Sequence, residues 1–435
     1  MFNHLLRGTM QCALLLGAVA TQGCSSAGSG ANDSQFAMAV CADGSKVRGS
    51  AKNCPTAPTA APPTTTTTTP PPPDNQPILG VGLSPIADNF DVGTGVYNNG
   101  RGIPPVSPDP NGSFRLICEP GQLAYADPVV SPGVVSEHLH QFVGNTGANK
   151  DSTYASLRAS GQSTCQNVTA GPVNRSSYWL PAMLNGIGGV VKPDYWHLYY
   201  KRLPKDNPIC TAAPGGACVA IPNGLKYVIG YNMATMSGGV LDKSGDFYWS
   251  SYWSCYSSDL RTTKADGYAY RTLQALMDSH LCQVGDIARL HLEGPECWDG
   301  KNVDSADHRS HLSFMRTSRP GFSSYTCDDA HPFLTPKVGG FLDYTIDQQF
   351  VDGKWLFSSD QMMREMGHPV VAGETFHFDY LEAWSPTIKD RWTSNCFDKH
   401  LTCNVGELGD GTQLANGPNP RPTHQVVPVP PRPAS

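Results

Sequence analysis

Tyr195-Trp196-His197-Leu198-Tyr199-Tyr200 crowds aromatic rings into a short run, a composition that suits the pleated surface of a strand better than the stripe of a helix. Runs of the same kind recur at Leu225-Lys226-Tyr227-Val228-Ile229, Phe247-Tyr248-Trp249-Ser250, Ala288-Arg289-Leu290-His291-Leu292 and Phe341-Leu342-Asp343-Tyr344-Thr345-Ile346. Several alternate apolar with polar residues, the period that sends successive side chains to opposite faces of a sheet. Helical patterns are confined to Thr272 to Ser279 and, less clearly, Ser152 to Ser160. The pattern predicts a mainly β fold, a sandwich or distorted barrel with long loops, disulfide staples and few short helices, over 76–412 as one large globular domain.

Outward from these runs, composition narrows the class. Glycine (44) and proline (37) are frequent in the 435 residues while charged side chains make up 16%, the balance of a loop-rich extracellular protein. With 31 basic against 37 acidic side chains the net charge is −6, so no large basic surface is implied and nucleic acid is not an expected partner. The one long apolar run, Cys12 to Ala20, falls short of the roughly 20 residues a membrane-spanning helix needs. With Arg7 before it and small residues after it, this run reads as the core of an export signal over 1–24. Thr21-Gln22-Gly23-Cys24-Ser25-Ser26 resembles a bacterial lipoprotein cleavage site, which makes Cys24 the expected lipidation site and the expected membrane link. The expected location is the outer membrane or cell surface, or the medium if the leader is simply cut near Ala20. Residues 25–75 hold a small segment bounded by Cys41 and Cys54 and then a Thr/Pro-rich linker. The Pro-rich tail over 413–435 is expected to be disordered.

Setting aside Cys12 and Cys24 leaves an even set of cysteines, as disulfides in an oxidising compartment require. Close spacing suggests Cys41 with Cys54, Cys210 with Cys218, and Cys396 with Cys403. The connectivity of Cys118, Cys165, Cys255, Cys282, Cys297 and Cys327 stays open. No C-x-x-C pair supports a thiolate zinc site.

Three segments carry candidate chemistry. Ser136-Glu137-His138-Leu139-His140-Gln141-Phe142 sets two imidazoles at i and i+2, on one face of a strand, where both reach one ion. Cys297-Trp298-Asp299-Gly300 leads through Asp304 and Asp307 to His308 and His311, a dense polar stretch in a chain poor in charge. His377 and Asp379 again share a strand face. If the three converge, His138, His140, His308, His311 and His377 are ligands for one transition-metal ion, zinc or copper, with iron also suited to imidazole. Asp304, Asp307 and Asp379 would then serve as catalytic acids or bases or orient the ligands. The plainer alternative is that the carboxylates cap turns and the histidines satisfy buried backbone groups. The aromatic run Tyr248 to Tyr256 suits either core packing or a platform for sugar rings. No G-x-S-x-G elbow, H-E-x-x-H helix, Walker loop or G-x-G-x-x-G fingerprint occurs.

The runs Tyr125-Ala126-Asp127-Pro128, His138-Leu139-His140-Gln141-Phe142-Val143-Gly144-Asn145-Thr146, Asn174-Arg175-Ser176-Ser177-Tyr178-Trp179-Leu180-Pro181, Cys297-Trp298-Asp299-Gly300, Asp307-His308-Arg309-Ser310-His311 and His377-Phe378-Asp379 carry a resemblance. Together they resemble the signature of the secreted fungal and bacterial family catalogued as domain of unknown function nineteen ninety-six, over roughly 115 to 385. The family has no established activity. Its fungal members are sometimes joined to WSC carbohydrate-binding modules, which implies polysaccharide or cell-wall surroundings, and its recurring histidines fall on His138, His140, His308, His311 and His377. This chain differs in having no recognisable WSC module, a lipoprotein-like leader and an insertion around Cys210 to Cys218. Two functions follow: a metal-dependent enzyme acting on polysaccharide, hydrolytic with zinc or oxidative with copper, or a non-catalytic polysaccharide-binding or structural envelope protein.

Overall fold

The computed structural model describes residues 38–40, 46–48, 76–166, 169–212, 218–238, 251–260, 262–264, 269–317, 325–415 and 424–433. The leader, Cys24, Cys41, Cys54 and the linker lie outside the described residues.

Two six-stranded sheets form the body. Their strands, in chain order, are β1 (Gly112–Cys118), β2 (Leu123–Ala126), β3 (Val135–Gly144), β4 (Ser177–Pro181), β5 (Tyr195–Arg202) and β6 (Lys226–Asn232). The remainder are β7 (Ser237–Gly238), β8 (Ser251–Tyr256), β9 (Ile287–Glu293), β10 (Lys337–Thr345), β11 (His377–Leu381) and β12 (Thr402–Cys403). Sheet I runs β8-β9-β10-β5-β1-β12 and sheet II runs β7-β6-β11-β4-β3-β2. Every pairing is antiparallel except β12 with β1. The architecture is an open sandwich and not a closed barrel.

The alternation read from the sequence decides what lies between the sheets. Phe114, Leu116, Trp196, Leu198, Tyr200, Leu290 and Leu342 of sheet I meet Tyr178, Leu180, Tyr227, Phe378 and Tyr380 of sheet II in one core. Rings cross the interface: Trp196 lies 5.2 Å from Tyr178 and 5.3 Å from Phe378, both edge to face. The Tyr178 and Tyr200 hydroxyls bond each other, and Trp384 Nε1 donates to Tyr200 at 2.9 Å.

Sheet II is covered on its outer face as well. There Phe142, Trp179, Val228 and Leu381 pack under Tyr154 and Leu157 of helix α1 (Tyr154–Ala159) and under Val129. Sheet I differs, for its outer side carries a cross-strand ladder of rings. Tyr252 stacks on His291 at 4.3 Å, and His197 stacks on Phe341 at 4.3 Å. Tyr252 of the Tyr248 to Tyr256 run thus spends one ring face on His291, and Trp253 of the same run is core. Phe247 to Ser250 lie outside the described residues.

Helix α2 (Leu273–Asp278), capped by Thr272, and α1, capped by Thr153, match the two helical stretches in the sequence. Helices α3 (Ser358–Glu365) and α4 (Pro386–Trp392) were not legible as helices. Both short-range pairings among the described cysteines form, Cys210 with Cys218 and Cys396 with Cys403. The open set resolves as Cys118–Cys165, Cys255–Cys282 and Cys297–Cys327. Over 424–433 the tail corrects the expectation of disorder; residues 416–423 and 434–435 lie outside the described residues. Gln425–Pro428 pairs antiparallel with Gly189–Lys192, and Val427 and Val429 pack against a cluster of Leu139, Ala182, Leu184 and Val190. Proline is tolerated there because the strand is at a sheet edge, where a missing N–H costs little.

Beside Cys297, Glu296 is a buried acid whose Oε2 has no hydrogen-bond partner. Burial pushes its carboxyl up to about 7, with Lys337 opposing and Glu293 adding to the shift. The folded chain therefore holds a proton that the unfolded chain releases. The stability this gives is complete below the ordinary carboxyl value of 4.5 and is lost as pH rises to about 7. Glu296→Gln should stabilise the protein at pH 8 by up to about 3 kcal/mol and change it little at pH 4. Urea unfolding at both pH values checks this, and an equal effect at the two would refute it.

Candidate metal centre

The outer face of sheet II carries the polar residues that its strands keep out of the sandwich core. On β3, His138 and His140 fall on one face with Phe142, and Phe142 pairs with Trp179 of β4, which in turn pairs with Asp379 of β11. One step along the same face, His140 pairs with Pro181, and on β11 His377 lies two residues before Asp379, on the same face. His377 is paired with Gly230 of β6, where φ is +87° and a Cβ would lie 2.4 Å from the Phe376 carbonyl oxygen, so glycine is required at that close approach.

The three rings converge on their Nε2 atoms. His138 Nε2 and His140 Nε2 lie 3.1 Å and 3.3 Å from His377 Nε2. An ion about 2.0–2.1 Å from each nitrogen in a tetrahedral site would separate them by roughly 3.4 Å, so the set is close to ligand spacing. His377 Nδ1 donates to the Thr375 carbonyl at 3.0 Å, which leaves the Nε2 lone pair facing the other two rings. His140 Nδ1 is directed toward the Ala126 backbone without closing a hydrogen bond of normal geometry. Burial, reinforced by their mutual proximity, holds His138 and His140 well below the ordinary imidazole range. Burial also lowers His377, to about 4, with Arg309 adding to the effect. Neutral imidazoles are the form that binds metal.

Asp379 lies two residues beyond His377 on the same face, fully buried, with neither carboxylate oxygen hydrogen-bonded. Burial raises it well above the carboxylate range, the charge of Asp127 adds to this and Arg309 opposes it. Asp127 accepts from Val129 N at 3.0 Å and Val130 N at 2.9 Å. Arg309 is fixed by bonds to the Gly230 and Tyr231 carbonyls, each 3.0 Å.

Of the five candidate histidines, three meet; among the described residues the cluster with metal-ligand spacing is His138, His140 and His377. His308 and His311 belong to the loop laid along β6. His308, at φ +57°, sets Nδ1 2.7 Å from Asp304 Oδ1, and its carbonyl accepts from Val228 N. His311 Nε2 donates to the Lys226 carbonyl at 3.0 Å and Nδ1 lies 2.8 Å from Ser305 Oγ, so both ring nitrogens are engaged. Asp304 pairs with Lys226 at 2.9 Å. Burial pushes Asp307 up, but hydrogen bonds from Ser310 N, Ser305 Oγ and Arg309 N outweigh it and hold the carboxyl below its usual range. The loop's carboxylates build turns, while Asp379 alone of the three sits on the triad's face. Asp127 and Arg309 were not singled out from the sequence, although both stand inside the runs that carried the resemblance.

No curated protein and no solved structure matches this chain. The model of the family described as Domain of unknown function (DUF1996) matches residues 127–384, a span that contains the triad, Asp127, Asp379 and the 304–311 loop. The chain belongs to that family.

Proposed function

We propose that this protein is an exported metal-dependent enzyme acting on polysaccharide, with one zinc or copper ion held by His138, His140 and His377. The observation that carries the reading is the convergence of three buried, neutral imidazoles on one point. Three imidazole ligands leave a coordination position for substrate or water, the arrangement of a catalytic rather than a structural ion. When bound, such an ion supplies Lewis acidity and lowers the pKa of coordinated water.

The chain's own residues supply the rest. Asp379, buried and unpartnered on the triad's face, is the group placed to hold or pass a proton. Asp127 and Arg309 bracket it electrostatically. His308, His311, Asp304 and Asp307 fix the loop along β6 that carries Arg309. Five disulfides and the leader pattern support export, with Cys24 as the proposed lipid anchor. No helix among the described residues is long and apolar enough to cross a membrane. The polysaccharide class is supported by the carbohydrate-binding modules that accompany fungal members of the family.

Elemental analysis of the protein purified from an oxidising compartment should find one equivalent of zinc or copper. His140→Ala should weaken metal binding tenfold or more. Absence of stoichiometric metal in the parent would sink the reading. Asp379→Asn should keep the metal and lower turnover of the responsive glycan by about 10²–10⁴-fold, measured as released product from a panel of wall polysaccharides. Undiminished turnover in that variant would remove Asp379 from the chemistry.

A further inference from the structure

The first turn of α3 touches β3 and the segment that leads into β11, the two strands that carry the triad and that β4 separates in the sheet. Ser358 Oγ donates to the carbonyl of Leu139, the residue between His138 and His140, at 2.5 Å. Two residues on, Asp360 is fully buried and accepts four hydrogen bonds. Phe357 N (2.9 Å) and Gly373 N (2.7 Å) reach one oxygen, while Thr375 N (3.0 Å) and Thr375 Oγ1 (2.7 Å) reach the other. The bond from Phe357 N is enough to cap the helix. The other three hold the segment that leads into β11 and end on Thr375, whose carbonyl takes the Nδ1 proton of His377. Ser359 Oγ, also buried, lies 2.7 Å from Thr375 Oγ1.

A carboxylate without exposure survives only when its lone pairs are filled, and here the filling donors come from both ends of one connection. A shift of Thr375 would turn the His377 ring, because its carbonyl sets both tautomer and orientation. A shift of Leu139 would move His138 and His140 together.

We infer that Ser358 and Asp360 are positioning residues for the metal centre: the first turn of α3 is a clasp that sets the distance between the His138/His140 pair and His377. This inference rests on the metal site proposed above, and it assigns the ligand spacing to a helix that contributes no ligand.

The test is titration of the metal-stripped full-length protein with Co²⁺, read by visible absorption and by competition with a chromogenic chelator. Asp360→Asn puts an amide donor against two of the four donors that now meet the carboxylate. It should weaken Co²⁺ binding about tenfold or more and change the band shape. Ser358→Ala should weaken it severalfold. Thr375→Val, which loses the hydroxyl bond to Asp360, should behave like Asp360→Asn, whereas Thr375→Ser should restore parental affinity and spectrum. Should Asp360→Asn fail to fold, the Thr375 pair decides. Parental affinity and spectrum in both Asp360→Asn and Thr375→Val would overturn the clasp while leaving the metal site intact. A parent protein that binds no Co²⁺ would overturn both.

Discussion

Sheet II has two faces to bury, and the one turned away from the sandwich core carries most of the polar groups. Phe378 and Tyr380 of β11 turn into the sandwich core, which forces His377 and Asp379 to the opposite side, where helix α1 and the loops exclude water. Burying a polar group without a partner costs on the order of 1–3 kcal/mol in proteins, and a charge costs more. Most polar groups on this side escape the penalty through local bonds. Asp127 takes two backbone N–H groups, and Arg309 spans two carbonyls. Asp379 and the inward-facing triad nitrogens find no such protein partner apart from one another. These unpartnered groups, gathered on one face, are what the proposed metal site rests on.

The neighbouring loop shows why density of ligand-type residues is a poor guide. Between Asp299 and His311 the carboxylates and imidazoles outnumber those of the triad, yet nearly all are spent on the loop itself. Asp299 accepts from Lys301 and Asn302, Asp307 accepts from Arg309 and Ser310, and His311 is locked between Ser305 and Lys226. Asx-type turns need these side chains for backbone reasons. The loop's contribution to the site is Arg309, whose charge opposes the shift of Asp379.

Legibility in the sequence followed the range of the interactions. Alternation along single strands was local, so the β class and the inward faces of the Tyr195, Leu225 and Phe341 runs could be read directly. His138-Leu139-His140 was readable for the same reason, and so was the short-range Cys396–Cys403 pair. What joins His377 to them is the β3-β4-β11 order and the Asp379–Trp179 register, set by packing over 237 to 239 residues of separation, which no local pattern encodes. Helix α3 was invisible because its cap is an acid at the third position acting with a phenylalanine, not the usual hydroxyl or carboxylate at the N-cap. The tail was misread because its apolar residues, alternating with proline, look like linker until a sheet edge is available to receive them.

The separation in sequence also bears on the metal site proposed above. A metal centre tolerates errors of only about half an ångström in its ligands, and loops seldom hold that tolerance. Here all three rings stand on strands of one sheet, two of them on the same strand, with a gap over β4 between them. That gap is spanned from outside the sheet by Ser358 on one side and Asp360 on the other, both rooted in a single helical turn. The sandwich core fixes the height of the strands, the register fixes their phase, and the α3 turn fixes their separation. The first two constraints act on backbone alone and the third reaches one imidazole, through the Thr375 carbonyl on His377 Nδ1, so the three Nε2 atoms face one another and, among the described residues, no other protein group.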